Sequence, residues 1–311
     1  MSMDVVLGVD VGGTKSRAVL LGPDQPDRGG SADPPGLSVV AMDEVPTSTS
    51  ERADPALAAS HALAHRLRDR AIEQGHHIAG VGIGVPEYVR GGLLHSDLVL
   101  AWTVQPGELF ADIAPVTVES DVRCGALAET VLGAGRDSTS MLYASIGTGI
   151  SSSFVVGGHV WEGHRGEAIA LGELPIDRDL DPGVAHTLEE FASGSAIARR
   201  YARATGQQVA GAREVLALAE GYDPRARAIV ESAASAIGAA LAWAVYLVDP
   251  QVVVLGGGLG SSGGWWTEQI SERYRRSSRP SPPPLLPAEC GADSGAIGAA
   301  LASFADLGLL D

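Results

Sequence analysis

Asp10-Val-Gly-Gly-Thr-Lys15, Asp121, Gly147-Thr-Gly149 and Gly256-Gly-Gly258 stand in that order, and each glycine cluster directly follows an apolar run. Glycine lacks a Cβ, so backbone N–H groups can approach a phosphate closely at such turns. Three of them with an acid between predict a nucleotide clamped between two lobes, and phosphoryl transfer as the chemistry. In the first turn Asp10 lies at a strand end beside Gly12, Gly13, Thr14 and Lys15, placed to hold Mg2+ through water. The same residues also suit an ordinary Asp/Gly hairpin. Gly147, Thr148, Gly149, Gly256, Gly257 and Gly258 complete the phosphate-turn candidates. Asp121 is the candidate general base: it would accept a hydroxyl proton while that oxygen attacks the γ-phosphorus in line, a contribution of about 10²- to 10⁴-fold. It sits between a strand and a helix, where aspartate is also a favoured N-cap.

The elements that must position these residues read as follows. Val5 to Val9 is an apolar strand, and Ser16 to Leu21 its antiparallel partner, so the first turn is strand–turn–strand and not a Walker loop. A Pro/Gly/Asp stretch spans residues 22–36, followed by a strand from Leu37 to Met42. Asp54 and Pro55 open a helix that runs to Gln74. Ala79 to Val85 and Val116 to Glu119 are strands, the second delivering Ser120-Asp121 to a helix that ends near Leu132. Ser140 to Ile146 and Ser151 to Val156 pair around Gly147-Thr-Gly149 and repeat the first turn's design, which suggests internal duplication. Leu188 to Leu247 is mostly helical, ending in a long, apolar, buried helix from Arg225 to Val248. Gln251 to Leu255 is a buried strand, Pro280 to Pro287 a proline-rich loop, and Ser294 to Phe304 the last helix. Gly258-x-Gly260-x-x-Gly263 matches a dinucleotide fingerprint on paper but is set aside, because no second strand is read after it.

At 311 residues the chain has room for two domains, and with 45% hydrophobic and 19% charged residues it is globular. A net charge of −16 argues against binding nucleic acid or an anionic membrane. Cys124 and Cys290 are too few for a disulfide framework or a four-cysteine metal site. No basic n-region and no run of 18 apolar residues is read, so a cytoplasmic protein without a membrane span is expected. His61 and His65 share a helix face that reads as solvated surface and not as a metal site. Asparagine is absent and Lys15 is the single lysine, features of codon bias, although a compact charge near phosphate would be a role arginine fills less well.

Taken together the motifs resemble the ROK family of sugar kinases and repressors. The resemblance runs through Gly8 to Lys15, Gly82-Ile-Gly-Val-Pro86, Glu119 to Glu129, Ile146 to Ile150, Leu188 to Gly194, Asp249 to Gly258 and Gly295 to Ala299. It implies an α/β, two-lobed actin-like ATPase (ribonuclease H-like) fold with ATP and Mg2+ in the interdomain cleft. The lobes would be 1–119, completed by the C-terminal helix 294–311, and 120–293. It further implies Asp121 as base for a sugar hydroxyl, usually the primary one, acceptor contacts at Ser120, Asp121, Glu173 and Glu189, and a homodimer.

Three departures mark the chain as atypical. Where the family carries its ExGH sugar motif this sequence has Ala170-Leu-Gly-Glu173, so alanine replaces the glutamate and Glu173 the histidine. The zinc-holding cysteines are missing around residues 177–185, which implies no bound zinc. Ser120 replaces the asparagine before the catalytic aspartate. A lost hydrogen-bonding glutamate would orphan a glucose hydroxyl, at about 1–3 kcal/mol per group. An aminosugar facing Glu173, or a cyclitol, is therefore the expected acceptor. The competing readings are a ligand-sensing regulator, disfavoured because the first phosphate turn leaves no room for a preceding helix-turn-helix, and a pseudokinase, disfavoured by the retained Asp10 and Asp121.

Overall fold

Apolar strands ending in glycine turns build two sheets of the same design. The computed structural model describes residues 2–24, 36–47, 54–96, 102–177 and 185–309. The chain divides into two compact units, the first made of Met1–Ala128, Glu162–Gly166 and Asp293–Asp311, the second of Glu129–Trp161 and Glu167–Ala292. The sequence places the boundary after residue 119, whereas the division falls inside the helix that Asp121 opens.

In the first unit, β1 (Asp4–Asp10), β2 (Lys15–Pro23), β3 (Leu37–Pro46), β4 (His77–Val85) and β7 (Val116–Ser120) form a sheet in the order β3-β2-β1-β4-β7. β1, β2 and β3 are antiparallel neighbours, and β4 and β7 add in parallel. A small hairpin, β5 (Val89–Arg90) with β6 (Leu93–Leu94), follows β4. Helix α1 (Asp54–Glu73) packs on β2 and β3, burying Leu57, Leu63 and Leu67. Short helix α2 (Pro106–Phe110) precedes β7, and α3 (Asp121–Val131) follows it directly.

The last helix, α10 (Ser294–Asp306), lies across β1 and β4. Its approach is backbone to backbone. A Cβ on Gly82 would fall 1.7 Å from the Ala299 carbonyl oxygen, and one on Gly298 equally close to the Cys124 carbonyl oxygen. The alternation of glycine in β4 is thus the imprint of a helix.

The second unit repeats the plan. β8 (Ser140–Ile146), β9 (Ile150–Val156), β10 (His159–Val160), β11 (Val252–Gly256) and β12 (Leu285–Pro287) are ordered β10-β9-β8-β11-β12, with antiparallel pairs at one side and parallel pairs at the other. Between β10 and β11 come α4 (Leu188–Ala192), α5 (Gly194–Thr205), α6 (Ala212–Glu220) and α7 (Pro224–Val248). Among the described residues α7 alone is long and apolar enough to cross a membrane, but 61% of its most apolar window is buried and it packs on α4, α5, α6 and α9 (Gly264–Ser277). It is the core helix of its unit.

Two expectations change here. The proline-rich loop contains β12, parallel to β11, so the β–α–β unit is complete: β11, α8 (Gly257–Gly260), α9, β12. The dinucleotide fingerprint cannot be set aside for want of a second strand. It fails instead because Gly258 and Gly260 lie within α8, not in a turn before it. Helix α9 went unread, although Trp266, Ile270 and Tyr274, four apart and all buried, carry its period. Of the Pro/Gly/Asp stretch, 25–35 lie outside the described residues, as do 178–184 of the segment lacking the family's cysteines.

Candidate active site

β1 ends at Asp10, whose neighbours across the sheet are Arg17 on β2 and Gly84 on β4. The carboxylate rests on the first turn of α10: a Cβ on Gly295 would lie 2.7 Å from its carboxyl carbon. The partial positive charge of a helix N-terminus therefore faces it. Burial nevertheless pushes its pKa up to about 6, with Arg17 and then Lys15 pulling down. In the adjoining turn the Thr47 hydroxyl donates to the Gly12 carbonyl at 2.6 Å, and the Thr47 amide to the Thr14 carbonyl at 2.9 Å. Gly13, Thr14 and Lys15 are exposed. The Lys15 ammonium lies 3.5 Å from Glu44, both half-exposed, so it pairs with an acid on β3.

β7 delivers Ser120, buried, and Asp121, half-buried. Asp121 is the first residue of α3 and accepts from the Val122 amide at 2.6 Å. Its pKa is pushed up to about 7 by burial, then by the negative charge of Asp10, with the Val122 bond opposing and Glu87 adding to the rise. Two buried carboxylates with raised proton affinity, one of them lifted further by the charge of the other, mark a place where a cation or a proton is wanted. Behind Asp121, buried Arg123 pairs with Glu119 at 2.9 Å and Glu162 at 3.3 Å and donates to the Val89 carbonyl, which fixes the first turn of α3. Burial lifts Glu119 to about 7, against Arg123 and the Ser120 amide.

Sequence reading missed Glu87. It is buried, accepts from the Ser96 hydroxyl, and lies 3.4 Å from the indole nitrogen of Trp102. Its signal was slight: an acid directly after the Gly82-to-Pro86 strand exit.

In the second unit the glycine turns meet. Gly147 closes its own turn by donating to the Gly149 carbonyl at 2.9 Å, and the first amides of α5, Gly194 and Ser195, donate to the carbonyls of Gly147 and Thr148. A Cβ on Gly147 would come within 3.9 Å of the Gly258 amide nitrogen. Gly257 is confined to glycine twice over: φ is +77°, and a Cβ would lie 2.5 Å from the Ile146 carbonyl oxygen. Gly256 ends β11, and Arg213 donates to the Gly258 carbonyl at 3.0 Å. Thr148 and Gly258 are exposed. Adjacent bare turns of this kind suit phosphate oxygens.

Glu189 underlies this turn, accepting from the Ile150 amide at 2.7 Å. One of its oxygens is thus committed to the turn itself. Ala170 is half-buried and Glu173 exposed, in a 3-10 turn spanning Leu171–Glu173. The preceding Ile169 holds φ at 60°, a rare value for a β-branched residue, where the Ser152 hydroxyl bonds its carbonyl.

Over residues 6–304 the chain matches the model of the ROK family. The Thermus thermophilus ROK hexokinase structure superposes with a TM-score of 0.80 and 31% identity, over 98% of this chain and 99% of that one. A ROK glucokinase from Streptomyces griseus, solved with glucose and AMPPNP, gives 0.75 and 25% over 96% and 99%. Among curated proteins, the bifunctional enzyme NanE/NanK of Brucella suis is 35% identical over 60% of this chain, which spans only 34% of that enzyme's length. The glucokinase of Streptomyces coelicolor is 27% identical over 96% of this chain and 97% of its own. With the doubled sheet, the acid at the end of β1 and the glycine turns all lying inside the matched span, the chain belongs to the ROK family.

Proposed function

We propose that the chain is an ATP-dependent cytoplasmic kinase that transfers the γ-phosphoryl group to a primary hydroxyl of a sugar, aminosugar or sugar-like cyclitol. The observation that carries this reading is the pair of buried, raised carboxylates at the exits of β1 and β7, on either side of β4 in one sheet, Asp121 being lifted in part by the charge of Asp10. An acid with a pKa near 7 can both accept a hydroxyl proton and release it at neutral pH. Asp121 is that base, held by the first turn of α3 and by Arg123 behind it. Asp10 is the oxygen donor for Mg2+ through water; the all-oxygen, carboxylate-rich setting fits a hard cation. That ion, when bound, neutralises charge on the phosphates. The turns at Gly12 to Lys15, Gly147 to Gly149 and Gly256 to Gly258 are assigned to the nucleotide, and Ser120 and Glu189 to the acceptor. The glucose and AMPPNP in the Streptomyces griseus relative support both ligand classes.

Ala170 cannot replace the two acceptor oxygens of a glutamate, so plain glucose is a poor acceptor. Exposed Glu173 supplies a carboxylate suited to an amino group, and the acceptor pocket uses no zinc. The direct test is ADP release screened across hexoses, aminosugars and C7-cyclitols. Turnover with an amine-bearing or cyclitol acceptor well above that with glucose supports the reading. ATP binding without turnover on any acceptor contradicts it and favours a ligand sensor. Glu173→Gln is expected to lower kcat/KM for an amine-bearing acceptor about tenfold more than for a neutral one. Equal losses would remove the aminosugar reading.

A further inference from the structure

His61 and His65 stand one turn apart on α1, and the fold brings Asp112, two residues beyond α2, against both. The three side chains form a closed triangle. His61 Nε2 is 3.0 Å from Asp112 Oδ1, His65 Nε2 is 3.0 Å from Asp112 Oδ2, and the two Nε2 atoms are 3.1 Å apart. Neutral imidazole carries one proton, on one nitrogen or the other. With Nε2–H on both rings the carboxylate is satisfied twice, but the nitrogen–nitrogen contact then has two protons facing each other. With either Nε2 bare, one contact to the carboxylate becomes lone pair against lone pair. A single cation between them satisfies both Nε2 lone pairs and the carboxylate at once.

The spacing fits such an ion. Ligand bonds of about 2.0–2.2 Å place donor atoms about 2.9 Å apart at right angles and about 3.4 Å apart at tetrahedral angles. All three edges lie in that window. His61 is braced edge-on by the buried Phe110 ring at 5.1 Å, and the two imidazoles stand at 84° to each other, so the triangle is held from behind. The side chains are 22%, 28% and 51% exposed, which leaves the outer coordination positions open to water. Two imidazoles and a carboxylate select a borderline divalent ion over Mg2+ or Ca2+.

We propose that His61, His65 and Asp112 form an exchangeable site for a zinc-type divalent cation, which staples α1 to the turn between α2 and β7. The site shares no residue with the phosphate turns or with the Ala170–Glu173 segment, so it stands whether or not the kinase reading does. An ion with three protein ligands and open positions exchanges readily, so the site fills on addition of metal and is emptied by chelators.

The test uses the full chain, chelator-treated and held in millimolar Mg2+ to occupy oxygen-only sites. Zn2+ is titrated by calorimetry, Co2+ by its visible absorption, and Tm is read with and without Zn2+. One equivalent of Zn2+ with Kd below about 0.1 mM is expected, with imidazole-type Co2+ bands and a higher Tm. His65→Gln and Asp112→Asn, both part-exposed and away from Phe110, should each weaken binding about 10- to 100-fold and abolish the Tm rise, with metal-free circular dichroism unchanged. Equal binding by wild type and both variants would place the ion elsewhere and overturn the proposal. So would failure of the wild type to bind in that range.

Discussion

At the scale of single residues the account turns on a raised carboxylate. Asp121 has a folded pKa near 7 against an ordinary 3.8, so the folded chain binds more protons than the unfolded one between about pH 4 and 7. Two consequences have opposite signs. The proposed base acts as the carboxylate, so kcat/KM for the acceptor is expected to rise with pH to a plateau, on a limb with an apparent pKa near 7. Asp10 titrates on the same limb, so the limb belongs to the pair. A flat profile between pH 5 and 8 would contradict the assignment. Stability runs the other way: the ionised, buried carboxylate destabilises the fold fully above pH 7 and not at all below pH 4. Asp121→Asn should therefore be more stable than wild type at pH 8, by about 1–3 kcal/mol after allowance for partial exposure, with the gain shrinking toward pH 4 in thermal melts. The placement of Asp10 and Asp121 at strand exits was legible in the sequence because a strand exit is a local event. Glu87 and Asp112 were not, since each matters through partners that only the fold brings near: Ser96 and Trp102 for one, two histidines 47 and 51 positions away for the other.

Among the elements, α10 and the β8–β9 and β11–α8 turns are the most constrained. Gly298→Ala would push a methyl group into the Cys124 carbonyl, where neither backbone can yield cheaply. A loss of about 3 kcal/mol or more is expected in denaturant unfolding, against a change within about 0.5 kcal/mol for Gly107→Ser at the start of α2, where a Cβ meets only ordinary contact. Gly257→Ala should weaken nucleotide binding at least tenfold, since φ near +77° and the Ile146 backbone forbid the side chain; unchanged affinity in calorimetry would detach this turn from the phosphates. The strand that escaped sequence reading, β12, illustrates what patterns conceal. It is a three-residue edge strand, and Pro287 costs it little because only one side is paired. Helix α9 was hidden differently: Gly263 and Gly264, both at positive φ, and two tryptophans mask its start.

For the whole molecule, sequence order alone announced a repeated plan, because both units open with a strand, a glycine turn and an antiparallel strand. The identity of strand order in the two sheets depends on pairings of distant strands and needed the structure. Nucleotide binding should be visible globally. With Mg2+ and AMPPNP at a hundred times Kd, stabilisation of about 2.7 kcal/mol is expected as a higher Tm, and no shift would argue against a nucleotide site. The central claim separates binding from chemistry, since the proposed base and the proposed nucleotide turns are different residues. The decisive measurement is therefore ADP formation by Asp121→Asn beside its ATP affinity, with the best acceptor from the screen. The account predicts kcat lowered by about 10²- to 10⁴-fold with ATP affinity within a few-fold of wild type. Wild-type kcat in that variant would contradict it.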